Sequence, residues 1–214
     1  SYNNVKKLMT NLQKIKENKF ILIGRAGIDM YPDPPGTKTE EAERFFTCLG
    51  GSAANIAVAI VKLGGQSSIV TRVSNDALGR LVLNELKKYN IDSTYVNLVE
   101  GESRISLAVV ESRVKDHQSI IYRNDAADLK MDIDNVQSVN YSDFGSLIIT
   151  GTALAKEPSR SATFTAIKLA KDTNIPIVFD IDYRPYTWSS IEEASSTYSK
   201  ASEYCDIIVG NDLE

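Results

Sequence analysis

Short apolar runs alternate with helix-length segments along most of this chain, and that rhythm limits the fold more than any composition figure. Phe20–Arg25 (FILIGR) is apolar up to its glycine and reads as a buried strand. A helix is expected from Ser52, a residue type suited to N-capping, through Leu63, stopped by Gly64 and Gly65. Ser67–Val73 reads as the next strand. Asn75 or Asp76 then suits the cap of a helix carrying Leu78, Leu81, Val82 and Leu86 at helical spacing. The same alternation returns later: strand Leu147–Thr150, helix from Pro158 to about Lys171, strand Ile177–Phe179, helix from about Ser190 to Tyr204, strand Ile207–Val209. Strands separated by helices of this length imply a mainly parallel sheet with right-handed crossovers, a doubly wound, Rossmann-like α/β body.

Two excursions interrupt it. Pro32, Pro34, Pro35 and Gly36 send the chain out of the first strand into a loop rather than a helix. Tyr95–Val99, Ile105–Glu111 and Ser119–Arg123 are strand-like with no helix between them, the pattern of a small antiparallel sheet. Roughly 30–49 and 93–124 are therefore expected to form a β lid on an α/β domain spanning 20–214, with 1–19 as an N-terminal extension.

Composition narrows the functional classes. The 214 residues are 43% hydrophobic, enough for a sizeable core. Their 24 basic and 28 acidic side chains, net −4, are spread along the chain, which argues against nucleic-acid or anionic-membrane partners. No run approaches the roughly 18 apolar residues of a membrane span. Ser1–Lys19 lacks the apolar centre of a secretory signal, so a cytoplasmic location is expected. Cys48 and Cys205 fit no metal or disulfide spacing and read as reduced structural thiols. The single His117 has no Ser, Cys or second His beside it, which leaves histidine-based and zinc chemistry almost no support.

Ligands of open parallel sheets bind beyond the carboxyl ends of the strands. The residues expected there are Asp29; Gly151 and Thr152; Asp180, Asp182 and Arg184; Asn211 and Glu214. Such carboxylates, amides and guanidinium groups suit a polyhydroxylated ligand, and a phosphate with a divalent cation. Gly50-Gly51-Ser52-Ala53-Ala54-Asn55 is the most informative stretch. Paired glycines before a helix let the backbone approach a ligand closely. Asn55, in the first turn of a helix apolar nearly all round, is expected to be buried and to need a partner; the alternative is local capping of the helix start. Gly24-Arg25-Ala26-Gly27 fails as a dinucleotide fingerprint, and there is no Gly-Lys-Ser/Thr phosphate loop.

Gly50–Ala57 with Gly64 after the helix resembles the amino-terminal signature of the ribokinase-like (PfkB) carbohydrate kinases, with Ser74 standing where their pattern has glycine. Gly24–Asp29, Thr71–Asp76, Tyr122-Arg123-Asn124 and Phe179–Trp188 are similar to the subgroup acting on keto-deoxy sugar acids of the 5-dehydro-2-deoxygluconate type, in inositol catabolism, with the subgroup acting on 2-keto-3-deoxygluconate as the nearest rival. The resemblance implies ATP- and Mg2+-dependent phosphorylation of a primary sugar hydroxyl under a β lid through which such proteins often dimerise. It places Asp29, Gly50, Gly51, Asn55, Arg104, Arg123 and Asp182 at the sugar, Arg184 and Asn211 at the nucleotide phosphates, and Glu214 near magnesium, through water; for Arg104 and Arg123, on lid-type strands, the alternative is ordinary solvated strand arginines. The family's catalytic aspartate, in a Gly-Ala-Gly-Asp-type motif, and its adenine-binding segments have no counterpart up to Glu214. The chain is therefore expected to be the amino-terminal portion of a longer kinase and inactive alone. The alternatives are a non-catalytic sugar-binding or dimerisation module derived from such a kinase, or an unrelated Rossmann-like domain.

Overall fold

The computed structural model describes residues 2–212. Its elements, in chain order, are α1 (Tyr2–Leu12), β1 (Lys19–Ile23), β2 (Gly27–Asp33), β3 (Arg44–Gly50), α2 (Ser52–Lys62), β4 (Gln66–Ser74), α3 (Ala77–Lys88), β5 (Val96–Val99), β6 (Leu107–Val110), β7 (Ser119–Tyr122), α4 (Ile133–Gln137), β8 (Ser146–Thr150), α5 (Ser159–Asp172), β9 (Ile177–Asp180), α6 (Ile191–Ser202) and β10 (Ile207–Val209). Six strands form one sheet in the order β10-β9-β8-β1-β4-β5, every pair parallel. The expected doubly wound body is what the chain adopts.

Burial on both faces explains why β1 reads as a continuous apolar run. Ile21, Leu22 and Ile23 are all fully buried. Pleating sends Ile21 and Ile23 into the core with Leu147, Ile149 and Phe179, and Leu22 into the opposite core with Ile69, Val73 and α2 and α3 side chains. Each such side chain contributes about 1.5–3 kcal/mol of burial. Side chains cap three of the helices: Asp76 accepts the Gly79 N–H at 2.8 Å, Ser190 accepts that of Glu193 at 3.1 Å, and Asp132 and Asn135 form a reciprocal box. The N-terminus of α2 has no side-chain cap. Ser52 is its first helical residue rather than its cap, and the Ser52 hydroxyl is buried without a partner.

The second sheet has the order β3-β2-β6-β7. It corrects the expected lid in three ways. It begins at Gly27 rather than Met30, because the chain turns straight from β1 into a strand. It is mixed rather than antiparallel, since β2 and β6 run parallel. Val96–Val99 is not part of it: β5 extends the large sheet beside β4, as α3 provides an ordinary crossover. Pro32 is tolerated in β2 because pairing with β6 covers only Ile28–Met30.

One carboxylate ties the two halves of the lid together. Glu111, fully buried at the end of β6, accepts the Thr39 N–H at 2.8 Å and the Gln118 N–H at 3.0 Å. These bonds, with Arg113 at 3.3 Å, hold its carboxyl down at about 2. The extension before β1 is largely helical, and Asn11 donates to the Asp206 carbonyl at 2.7 Å. Cys48 and Cys205 are unpaired, and burial pushes the Cys205 thiol up to about 12. His117 lies exposed between β6 and β7.

Candidate functional site between the two sheets

Neighbours of β1 on its two sides, β4 and β8, are reached by crossovers running in opposite directions, so a crevice opens beyond its carboxyl end. The chain leaves β1 through Gly24 and Arg25, enters the lid along β2, and returns along β3 to α2. Asp29 on the lid and Asn55 on the body consequently face one cavity of about 190 Å³. Gly51 and Ser52 form its floor. Ser106, just before β6, and Ala108 and Val110 on it form one wall, with Ser119 and Ile121 beside them and Arg25 and Arg184 also in the lining.

Both glycines are required by geometry. A Cβ at Gly50 would stand 2.2 Å from Asp29 Oδ1. Gly51 has φ +94°, and a Cβ there would meet the Arg25 carbonyl oxygen at 2.5 Å. Burial pushes the Asp29 carboxyl above the usual range, and the Arg25 guanidinium opposes that rise. Two further polar atoms facing this region, Arg25 Nε and Ser52 Oγ, are buried without partners. Unsatisfied donors of this kind are expensive to bury and are the groups a hydroxylated ligand would satisfy.

The profile of the pfkB family of carbohydrate kinases matches residues 17–214. The chain belongs to that family. This pfkB family member is 38% identical over 204 residues to the 5-dehydro-2-deoxygluconokinase of Geobacillus thermodenitrificans (strain NG80-2), covering 94% of this chain and 60% of that protein. The protein of the same name from Photobacterium profundum is 38% identical over 200 residues, with the same two coverages. Fructokinase from Vibrio cholerae O395 in apo form superimposes with a TM-score of 0.78 at 29% identity, over 89% of this chain and 62% of that one. Its form bound to fructose, ADP and calcium ion gives 0.78 at 28% identity, over 92% and 61%. The chain thus spans about 60% of the length of these relatives.

Within this pfkB family member the residues singled out from sequence separate into groups. Asp29, Gly51, Asn55 and Arg184 meet at the cavity, and Gly50 backs the Asp29 carboxylate. Asn55 is exposed rather than buried, because α2 turns this edge of its first turn to the cavity mouth. Asp182 is buried behind the cavity, where its Oδ1 lies 2.9 Å from Arg184 Nη2. It holds φ 39°, a left-handed conformation costing about 1–2 kcal/mol for a residue with a side chain.

Arg104 is elsewhere. It lies before β6 rather than on a lid strand, bonded to the Gly101 carbonyl at 2.8 Å and facing Glu102 at 3.5 Å and Asp76 at 3.8 Å. Arg123 is not a solvated strand arginine: it is buried and paired with Asp128. It lines an adjoining cavity of about 570 Å³ that shares Ser119 and Ile121 with the first. Asn211 is exposed beyond β10, and Glu214 lies outside the described residues. Among the described residues no group of three or more His, Cys, Asp or Glu side chains could hold a metal ion, and no helix is long and apolar enough to cross a membrane.

Arg25 and Ser52 line the cavity without having been singled out for it from sequence. Arg25 sits within Gly24–Asp29, and its signal was its place directly after a buried strand. Ser106 could have been found from its period-2 alternation with Ala108 and Val110.

Proposed function

We propose that the protein carrying this chain transfers the terminal phosphoryl group of ATP, with magnesium, to a primary hydroxyl of a keto-deoxy sugar acid of the 5-dehydro-2-deoxygluconate type. The observation that carries this reading is the shared cavity of Asp29 and Asn55, lined by polar atoms without partners. The names of the relatives support the substrate class, and the fructokinase bound to fructose and ADP supports the reaction type. Asp29 accepts hydrogen bonds from sugar hydroxyls, while Asn55 both donates and accepts. Arg25, lining the same cavity, opposes with its charge the rise that burial imposes on the Asp29 carboxyl. Arg184, oriented by Asp182, offers a guanidinium to the phosphoryl end, where positioning and charge neutralisation do most of the catalytic work. The small sheet screens the sugar from water. Asn211 and Glu214 serve the nucleotide phosphates and magnesium.

The protein works in the cytoplasm and pairs as a homodimer through the lid, where Phe46 on one face and Ile120 and Tyr122 on the other stay exposed. A screen of sugars and sugar acids for ATP-dependent phosphorylation tests the reading. ADP release that depends on a keto-deoxy sugar acid is expected; turnover with neutral sugars alone refutes the substrate class, and no turnover with any of them refutes the activity.

A further inference from the structure

The cavity around Asp29, about 190 Å³, falls below the roughly 300 Å³ at which ligand pockets usually begin. A six-carbon acid therefore extends past the shared wall of Ser119 and Ile121 into the adjoining 570 Å³ space. That space is lined on its far side by Arg123, Lys156, Tyr186 and Thr187. Its charges can be followed one by one. Arg123 is neutralised by Asp128, both of them buried. Lys130 is neutralised by Asp125 at 2.7 Å, and Asp125 also accepts from Ser103. Glu157, next to Lys156 in sequence, is engaged by the backbone and hydroxyl of Ser161, and Glu193 by Arg160 at 2.7 Å.

Lys156 is the cation left over: it is exposed to the cavity and makes no ion pair among the described residues. Asp125 feels its charge only across a gap, as the weakest of the influences on that carboxylate. Lys156 stands on the loop between β8 and α5, part of the body and not of the lid. We infer that Lys156 is the specificity residue that reads the carboxylate of the sugar acid, with Arg123–Asp128 as a neutral wall beside it. The uncompensated charge is complementary to one carboxylate, and a neutral sugar leaves it unanswered. This rests on the kinase reading and deepens it by assigning the acid end of the substrate.

The test is steady-state phosphorylation by the full-length protein, wild type against Lys156→Ala and Lys156→Arg. The substrate is 5-dehydro-2-deoxygluconate, and the competing inhibitor is its neutral analogue with hydroxymethyl in place of carboxylate. For Lys156→Ala the KM for the acid should rise about tenfold to a hundredfold, as expected for losing one charge-assisted contact. Inhibition by the neutral analogue should shift less than about threefold, and Lys156→Arg should recover most of the KM. An unchanged KM for the acid, or equal shifts for acid and neutral analogue, overturns the inference while leaving the kinase reading intact. A wild-type protein that turns over no sugar acid removes both.

Discussion

Replacing Gly50 by alanine is the sharpest probe of the cavity, because the added atom is aimed at one side chain. The new Cβ would stand 2.2 Å from Asp29 Oδ1, 2.5 Å from its Cγ and 2.9 Å from Oδ2. Real Cβ atoms do not come closer than 3.0 Å, so the carboxylate must withdraw by about 1 Å. Gly50 ends β3 without a positive φ, so the backbone accepts alanine there. Asp29 can move into the cavity it already faces, which keeps the folding cost near the low end of overpacking, about 1 kcal/mol. For function, a 1 Å misplacement of a positioning group costs about a hundredfold, equivalent to about 2.7 kcal/mol of transition-state stabilisation. Coupled ADP-release kinetics on the full-length protein, with thermal unfolding alongside, measure both. Gly50→Ala should lose about a hundredfold in kcat/KM with only a small fall in Tm. Wild-type kcat/KM in the alanine variant would show that Asp29 does not hold the substrate. Gly51→Ala is the useful contrast: its φ of +94° and its 2.5 Å approach to the Arg25 carbonyl place the strain in the backbone, so stability and activity should fall together.

Asp29→Asn should raise Tm at neutral pH while weakening sugar binding at least tenfold by calorimetry. The folded pKa lies above the ordinary 3.8, so the group favours folding below that value and loses this contribution as pH rises through the folded pKa. Glu111→Gln should loosen the lid, read as lost hydrogen-exchange protection at the Thr39 or Gln118 amide, since a neutral amide cannot accept from both as strongly. In the wild type the Glu111 contribution is present above the ordinary 4.5 and is lost only as pH falls through about 2. Arg123→Leu should destabilise the protein by about 3–5 kcal/mol, measured by denaturant unfolding, because it strands the buried Asp128 charge; Arg123→Leu with Asp128→Leu should recover most of that.

The large sheet was legible from Phe20–Arg25, Ser67–Val73 and Leu147–Thr150, because strands buried on both faces must be continuous apolar runs. Val96–Val99 was assigned to the wrong sheet, since its exposed Asn97 and Leu98 resemble any edge strand and its partner β4 is fixed only by the α3 crossover. Asn55 was expected inside because its neighbours are alanine and isoleucine. Periodicity reveals which residues are apolar, not that one edge of α2 opens onto a crevice. Arg104 and Arg123 carried the same guess from sequence, and only tertiary partners separate them: solvent and the loop carbonyls for one, Asp128 for the other. The shared cavity of Asp29 and Asn55 depends on contacts between residues on different sheets, which no local pattern encodes.

Those two residues also ride on separate sheets. Asp29 belongs to β2, which is flanked by β3 and β6 and so moves only as its whole sheet moves, whereas Asn55 and Arg184 are fixed to the large sheet and its helices. A swing of the small sheet about the segments at Gly24–Gly27 and Gly50–Gly51 would pull the jaws apart at the point where they grasp. Holding the sugar and shutting out solvent are then one mechanical act, so dissociation of the sugar should keep time with the opening of the clasp.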